Sequence, residues 1–285
     1  MNTILVATDF SADARHAARR AAQLARAPGA AHVVLLHVPP ALPFDVELDL
    51  RANAAVERAL EALAAELHAE SGTAFEPRLA GGPVVPTIAG EAAACDLVVL
   101  GARGVNPLRD LAIGSSAERL VRTAPCPVLI VKAAPKGAYE RVLVPMDFSP
   151  DSRAALALAA RLAPRAGLTL AHAYDLPFEG KLGIAGASPE DIERYRRQAS
   201  EQAERMMDEA TAAAGLAPER LVRVLDRAYP PKLIQDTARA LRAELIAIGK
   251  HGGSMLEDLL LGSVTLHTLA AAECDVLVVP SRRQA

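Results

Sequence analysis

The stretch Ile4–Ala25, ILVATDFSADARHAARRAAQLA, decides the fold because the chain repeats it. Val142–Ala163 reads VLVPMDFSPDSRAALALAARLA. Asp9 aligns with Asp147, Phe10 with Phe148 and Ser11 with Ser149, an offset of 138 residues. In each copy a short apolar run passes through Asp-Phe-Ser into an Ala-rich stretch with helical patterning. Working outward, VVLLHV (33–38) is answered by LTLAHA (168–173), with His37 opposite His172. CDLVVLGARG (95–104) is answered by AELIAIGKHG (243–252), and CPVLIV (126–131) by CDVLVV (274–279). The last two pairs are offset by 148 residues, so the second half carries about ten extra residues. They fall around Leu176–Pro189, a loop containing Gly180, Gly183 and Gly186. The chain is a duplication.

Within each half, apolar runs alternate with Ala-rich helical stretches. The runs are continuously apolar, as parallel strands covered on both faces are. The pattern predicts strands at 4–8, 33–38, 75–79, 97–101 and 127–131, and helices at 12–27, 50–70, 84–94 and 115–123. The second half repeats this with strands at 141–145, 168–173, 220–225, 245–249 and 275–279. Its helices are predicted at 150–164, 189–214, 230–242 and 263–272. The expected class is α/β: two tandem Rossmann-like domains, 1–134 and 141–281, each a five-stranded parallel sheet with helices on both faces. They join around Ala133–Glu140, which contains Pro135 and Gly137.

Composition narrows the function. The 285 residues are 51% hydrophobic and 23% charged, which excludes a disordered chain. There are 60 alanines, about a fifth of the chain, but only 3% aromatics and no Trp, so the helices are thin and pack closely. Net charge is −3 with no long basic run, which disfavours a dedicated nucleic-acid binder. No apolar stretch approaches the roughly 18 residues of a membrane span. The opening MNTILVATDF lacks the pattern of a secretory signal, so a cytoplasmic protein is expected. Cys95, Cys126 and Cys274 are too scattered for a disulfide framework or a zinc cluster, and read as buried thiols. The seven histidines show no metal-binding spacing. His37 and His172 read as core or edge histidines.

The fourth strand of each half runs into glycines. Gly101-Ala-Arg-Gly104, nine residues and Gly114-Ser115 match Gly249-Lys-His-Gly252, nine residues and Gly262-Ser263. Both are G-x2-G-x9-G-S. Glycines at a strand end let a ligand approach the backbone. Gly114-Ser115 and Gly262-Ser263 open helices whose first N–H groups form an anion site. In open parallel sheets, ligands bind at the carboxyl ends of strands near the switch in strand order. Asp9 and Asp147 end strand one at that edge. Each is either an acceptor for an adenine amino group or ribose hydroxyl, or a turn anchor or helix cap. Arg103 and His251 occupy matching places in the motif, and the guanidinium is the better phosphate partner. The GxxxxGK[ST], GxGxxG and GxSxG motifs of other nucleotide enzymes and hydrolases do not occur at these positions. Ser115 and Ser263 have no sequence-adjacent base and are not read as nucleophiles.

Those residues resemble the universal stress protein family in its tandem form, over nearly the whole chain. The likeness rests on ILVATDFS and VLVPMDFS, on LLHV, on both glycine motifs, and on CPVLIV and CDVLVV. It implies an adenine nucleotide alpha hydrolase-like fold and a nucleotide-dependent role in the stress response. In one or both halves it implies binding of ATP, or ADP or AMP, with Mg2+. Carried over by position, the first half offers Ala7, Thr8, Asp9, Val38, Leu100, Gly101, Arg103, Gly104, Gly114, Ser115 and Ser116. The second offers Pro145, Met146, Asp147, Ala173, Ile248, Gly249, His251, Gly252, Gly262, Ser263 and Val264. Met146, Ala173 and Val264 depart from the family pattern, which points to weaker or different binding there. The resemblance also implies that the fifth strands pair, giving an internal pseudo-dimer, and leaves open a homodimer of whole chains. Slow ATP hydrolysis, or an interaction protein with one working nucleotide site, are the alternatives.

Overall fold

The computed structural model describes residues 1–26, 32–39, 46–104, 113–174, 188–252 and 261–280. The loop predicted after the second strand of the second half falls mostly at 175–187, outside the described residues. The first half comprises β1 (Thr3–Ala7), α1 (Ala12–Ala25), β2 (His32–His37), α2 (Val46–Ser71), β3 (Phe75–Leu79), α3 (Val84–Ala92), β4 (Leu97–Gly101), α4 (Ser115–Thr123) and β5 (Val128–Val131). The second comprises β6 (Arg141–Pro145), α5 (Pro150–Leu162), β7 (Gly167–Ala173), α6 (Pro189–Ala213), β8 (Leu221–Asp226), α7 (Pro230–Leu241), β9 (Leu245–Gly249), α8 (Ser263–Ala271) and β10 (Asp275–Val279). α2 begins four residues before its predicted start at 50.

The strands form one ten-stranded sheet in the order β3-β2-β1-β4-β5-β10-β9-β6-β7-β8. Each half is parallel throughout, and the halves meet where β5 and β10 run antiparallel with Leu129 opposite Leu277. The apolar edge that each fifth strand would expose is thereby covered.

Alternation along the strands divides the core between the two faces. Ile4, Val6, Val33 and Leu35 pack with Ala17, Ala18 and Ala21 of α1 and Leu60, Leu63 and Leu67 of α2. Leu5, Val34 and Leu36 pack on the other face with Ile88 of α3 and Leu120 and Val121 of α4. Both layers continue across the seam, through Leu129 and Leu277 on one face and Ile130 and Val276 on the other. Charged side chains concentrate at the outer edges. There β3 carries Glu76 and Arg78, and β8 carries Arg223, side chains that discourage pairing with another chain.

A buried polar cluster ties the halves together. Tyr139, in the predicted linker, is only 4% exposed. Its hydroxyl donates to Asp275 Oδ2 at 2.6 Å, and the Lys132 N–H donates to Asp275 Oδ1 at 2.9 Å. Arg20 of α1 places Nε 3.3 Å from Asp275 Oδ2 and lies over the Tyr139 ring at 4.0 Å. Burial pushes the Asp275 carboxyl and the Tyr139 hydroxyl above their ordinary ranges.

Candidate functional site

The geometry of the site begins with the turn after each half's first strand. Phe10 has φ 65° and Phe148 has φ 62°. This left-handed backbone costs a bulky residue on the order of 1–2 kcal/mol. Asp9 Oδ1 accepts from the Ser11 N–H and Asp147 Oδ1 from the Ser149 N–H, both at 3.0 Å. The aspartates are thus turn anchors, while Ser11 and Ser149 cap α1 and α5. His37 Nδ1 lies 2.6 Å from the Thr8 carbonyl with its ring 4.8 Å from Phe10. His172 Nδ1 lies 2.7 Å from the Met146 carbonyl with its ring 4.5 Å from Phe148. A carbonyl only accepts, so each Nδ1 carries the proton. The repeated histidines clamp the turn.

The glycines divide into two roles. A Cβ on Gly101 would sit 2.6 Å from the Asp13 backbone, and one on Gly249 would sit 2.9 Å from the Asp151 backbone. These two glycines let the first turns of α1 and α5 lie against the sheet. Ligand approach, the purpose assigned from sequence, is not what requires them. At Gly104 a Cβ would meet Asp9 Oδ2 at 2.6 Å, so the carboxylate lies across the glycine loop. Gly114 is different: its φ is −70° and a Cβ would come no closer than 3.5 Å to Ala102 O. Gly114 and Gly262 cap α4 and α8, and neither helix has a side-chain hydrogen bond at its start. Their first-turn N–H groups therefore have no capping side chain.

Two clefts open where β1 meets β4 and β6 meets β9, on the carboxyl edge where strand order reverses. The first, about 510 Å³, brings together Ala7, Thr8, Asp9, Val38, Leu100, Gly101, Arg103, Gly104, Gly114, Ser115 and Ser116. The second, about 230 Å³, brings together Pro145, Met146, Asp147, Ala173, Ile248, Gly249, His251, Gly252, Gly262, Ser263 and Val264. Every residue singled out from sequence lines a cleft. Sequence reasoning missed the apolar walls, Val84 and Ile88 of α3 and Pro230, Leu233 and Ile234 of α7. The available signal was position, because α3 and α7 start just after strands that end on the same edge.

The sequence profile of the Universal stress protein family matches residues 1–132 and again 138–280. The chain is a tandem member of the universal stress protein family. A universal stress protein of Mycolicibacterium smegmatis is 28% identical over 293 residues, covering 98% of this chain and 97% of that protein. Universal stress protein Rv2005c of Mycobacterium tuberculosis is 32% identical over 199 residues, 68% of this chain and 65% of its own. The crystal structure of a universal stress protein from Archaeoglobus fulgidus shares the fold with a TM-score of 0.73 at 19% identity, covering 98% of both chains.

The clefts of this universal stress protein differ in charge. Arg103 is half-exposed, with Nε 3.3 Å from Asp13 Oδ2. His251 is mostly buried and held twice by Asp151, whose Oδ2 accepts from the His251 N–H at 2.9 Å and lies 3.2 Å from Nδ1. Lys250, inside the second glycine motif, turns away from its own cleft. Its Nζ donates at 2.6 Å to the Arg122 carbonyl at the end of α4, and burial lowers its pKa. Lys132 answers by donating at 2.8 Å to the Leu269 carbonyl in α8. Each cleft helix thus has its carboxyl end held by a lysine from the other half. Among the described residues no three metal-ligating side chains cluster, and no helix is long and apolar enough to cross a membrane.

Proposed function

We propose that this universal stress protein binds adenine nucleotide, ATP above all, in its clefts and serves as a nucleotide-dependent regulatory protein of the cytoplasm. Each half, 1–134 and 141–281, is then one nucleotide-binding unit. The observation that carries this reading is the convergence of the glycine motif, the strand-one aspartate and a glycine-capped helix start without a side-chain cap on one cleft, repeated in both halves. The helix N–H groups suit phosphate. The walls of Val38, Val84 and Ile88 suit a base held by aliphatic contact with little aromatic stacking. A magnesium ion would arrive on the phosphates, because magnesium takes few protein ligands and the described residues offer no cluster of three metal-ligating side chains. Asp9 Oδ1 anchors its turn and Ser115 has no sequence-adjacent base, so binding is favoured over rapid hydrolysis.

The test is to denature the purified protein and identify any released small molecule by mass spectrometry, with its molar ratio to chain. Release of an adenine nucleotide is expected. Release of an unrelated metabolite in stoichiometric amount contradicts the proposal.

A further inference from the structure

The two lysines that cross the seam end on the helices that open the clefts. The duplication copied neither of them. Lys250 stands where the first half has Ala102, and Lys132 stands where the second half has Pro280. Two unlike positions therefore make the same kind of contact in opposite directions. Lys250 Nζ donates at 2.6 Å to the Arg122 carbonyl in the last turn of α4, and Lys132 Nζ donates at 2.8 Å to the Leu269 carbonyl in the last turn of α8. The last four carbonyls of a helix have no intrahelical partner, so each ammonium meets an acceptor at the negative end of a helix dipole. Lys250 is only 6% exposed. An ammonium so enclosed gives up hydration, and the helix end is what compensates it.

Backbone hydrogen bonds carry these contacts on to the clefts. In the first half the Gly114 N–H donates to the Ala102 carbonyl at 2.7 Å, and the Ala102 N–H donates to the Val131 carbonyl, next to Lys132, at 3.0 Å. In the second half the Gly262 N–H donates to the Lys250 carbonyl at 3.1 Å, and the Lys250 N–H donates to the Val279 carbonyl at 2.9 Å. The contacts close a circuit. From the start of α4 it passes through Ala102 and Val131 to Lys132 and the end of α8. It then follows α8 back to Gly262, crosses through Lys250 to the end of α4, and returns to Gly114. Each helix is nine residues long, about 13 Å. Each is held at its glycine start by its own half and at its far end by the other half. Two fixed ends set the direction in which the first-turn N–H groups point.

Resting on the reading of the clefts as adenine-nucleotide sites, we infer that Lys250 and Lys132 are positioning residues that act across the seam. Lys250, inside the second glycine motif, aims the start of α4 at a phosphate in the first cleft. Lys132, which follows β5, aims the start of α8 at a phosphate in the second. Each acts through a helix and not by touching the nucleotide. Helix N–H groups hold a phosphate where they converge on it. A cleft helix loosened at its far end can tilt, and its N–H groups then converge less well. The affinity of each half is therefore set partly by a residue of the other.

The experiment photolabels nucleotide-stripped full-length chain with 2-azido-ATP over a range of concentrations. Mass spectrometry of the labelled peptides gives a half-saturation for each half separately. Lys250→Ala installs the residue that the first half has at Ala102. It is expected to raise the half-saturation of the first half at least threefold and to leave that of the second within twofold. Lys132→Met should do the reverse. Circular dichroism checks folding, and Lys250→Met and Lys132→Ala are read in the same way where a first variant does not fold. Where the wild type labels one half only, the lysine of the opposite half decides. A Lys250 variant that weakens only its own half overturns the inference, and so does one that changes neither. Equal weakening of both halves overturns it too, because a general loss of stability moves both. Each of these results leaves the nucleotide reading standing. A wild-type chain with no saturable labelling in either half overturns that reading and the inference with it.

Discussion

At the residue scale, the glycines of one motif do different work. Gly101 is demanded by packing against α1, whereas Gly114 leaves room for a methyl group. Gly101→Ala should therefore destabilise the fold by about 1–3 kcal/mol through overpacking. That corresponds to a fall of roughly 2–4 °C in Tm per kcal/mol for a chain of this general size. Gly114→Ala should stay within about 0.5 kcal/mol of wild type while weakening nucleotide binding. Thermal melts of the two variants check this, and equal destabilisation would refute the division of roles. The cysteines allow a second prediction. Cys126 is buried, while Cys95 and Cys274 are only half-buried, less enclosed than the sequence suggested. Even so, burial pushes the Cys126 and Cys274 thiols up to about 12. In the unfolded chain they titrate near 8.5. The folded state keeps protons that the unfolded state releases, so this contribution to stability is full below about pH 8.5. It is lost as pH rises to about 12. Alkylation at pH 8 should accordingly label these two thiols only in denaturant, a contrast readable by mass spectrometry.

At the element scale, most strand and helix positions are legible because apolar runs and Ala-rich stretches alternate twice with the same landmarks. The turn after β1 was legible only in part, through the reading of Asp9 as a turn anchor. Nothing in Asp-Phe-Ser announces a left-handed phenylalanine, which persists because His37 and Asp9 fix the backbone on either side of it. The candidate site residues were readable because the motif is local in sequence. The α3 and α7 walls were not, because their place depends on how the sheet is ordered. The Arg20–Tyr139–Asp275 cluster was hidden for a related reason. Its members come from a helix, a linker and the last strand, and no spacing rule connects them. Removing one partner strands the others in a buried setting. Asp275→Asn should cost about 3–5 kcal/mol by leaving Arg20 uncompensated, and Tyr139→Phe about 1–3 kcal/mol. Urea titration of both variants measures this, and an Asp275→Asn cost below that of Tyr139→Phe would contradict the account.

At the scale of the whole molecule, duplication has produced one continuous sheet. The Leu129–Leu277 seam and the crossed lysines Lys132 and Lys250 make each half part of the other's boundary. A first half expressed alone would expose β5, four consecutive buried residues from Val128 to Val131. It should pair with a second copy through that strand or aggregate, as sedimentation would show. A stable, soluble monomer would contradict the importance of the seam.

The central claim is that the clefts hold adenine nucleotide. Equilibrium dialysis of nucleotide-stripped wild-type chain against ATP tests it most directly, beside a variant carrying both Gly114→Val and Gly262→Val. The account predicts saturable binding of at least one ATP per chain that disappears in the folded double variant. No saturable binding by the wild type, or equal binding by both proteins, would contradict it.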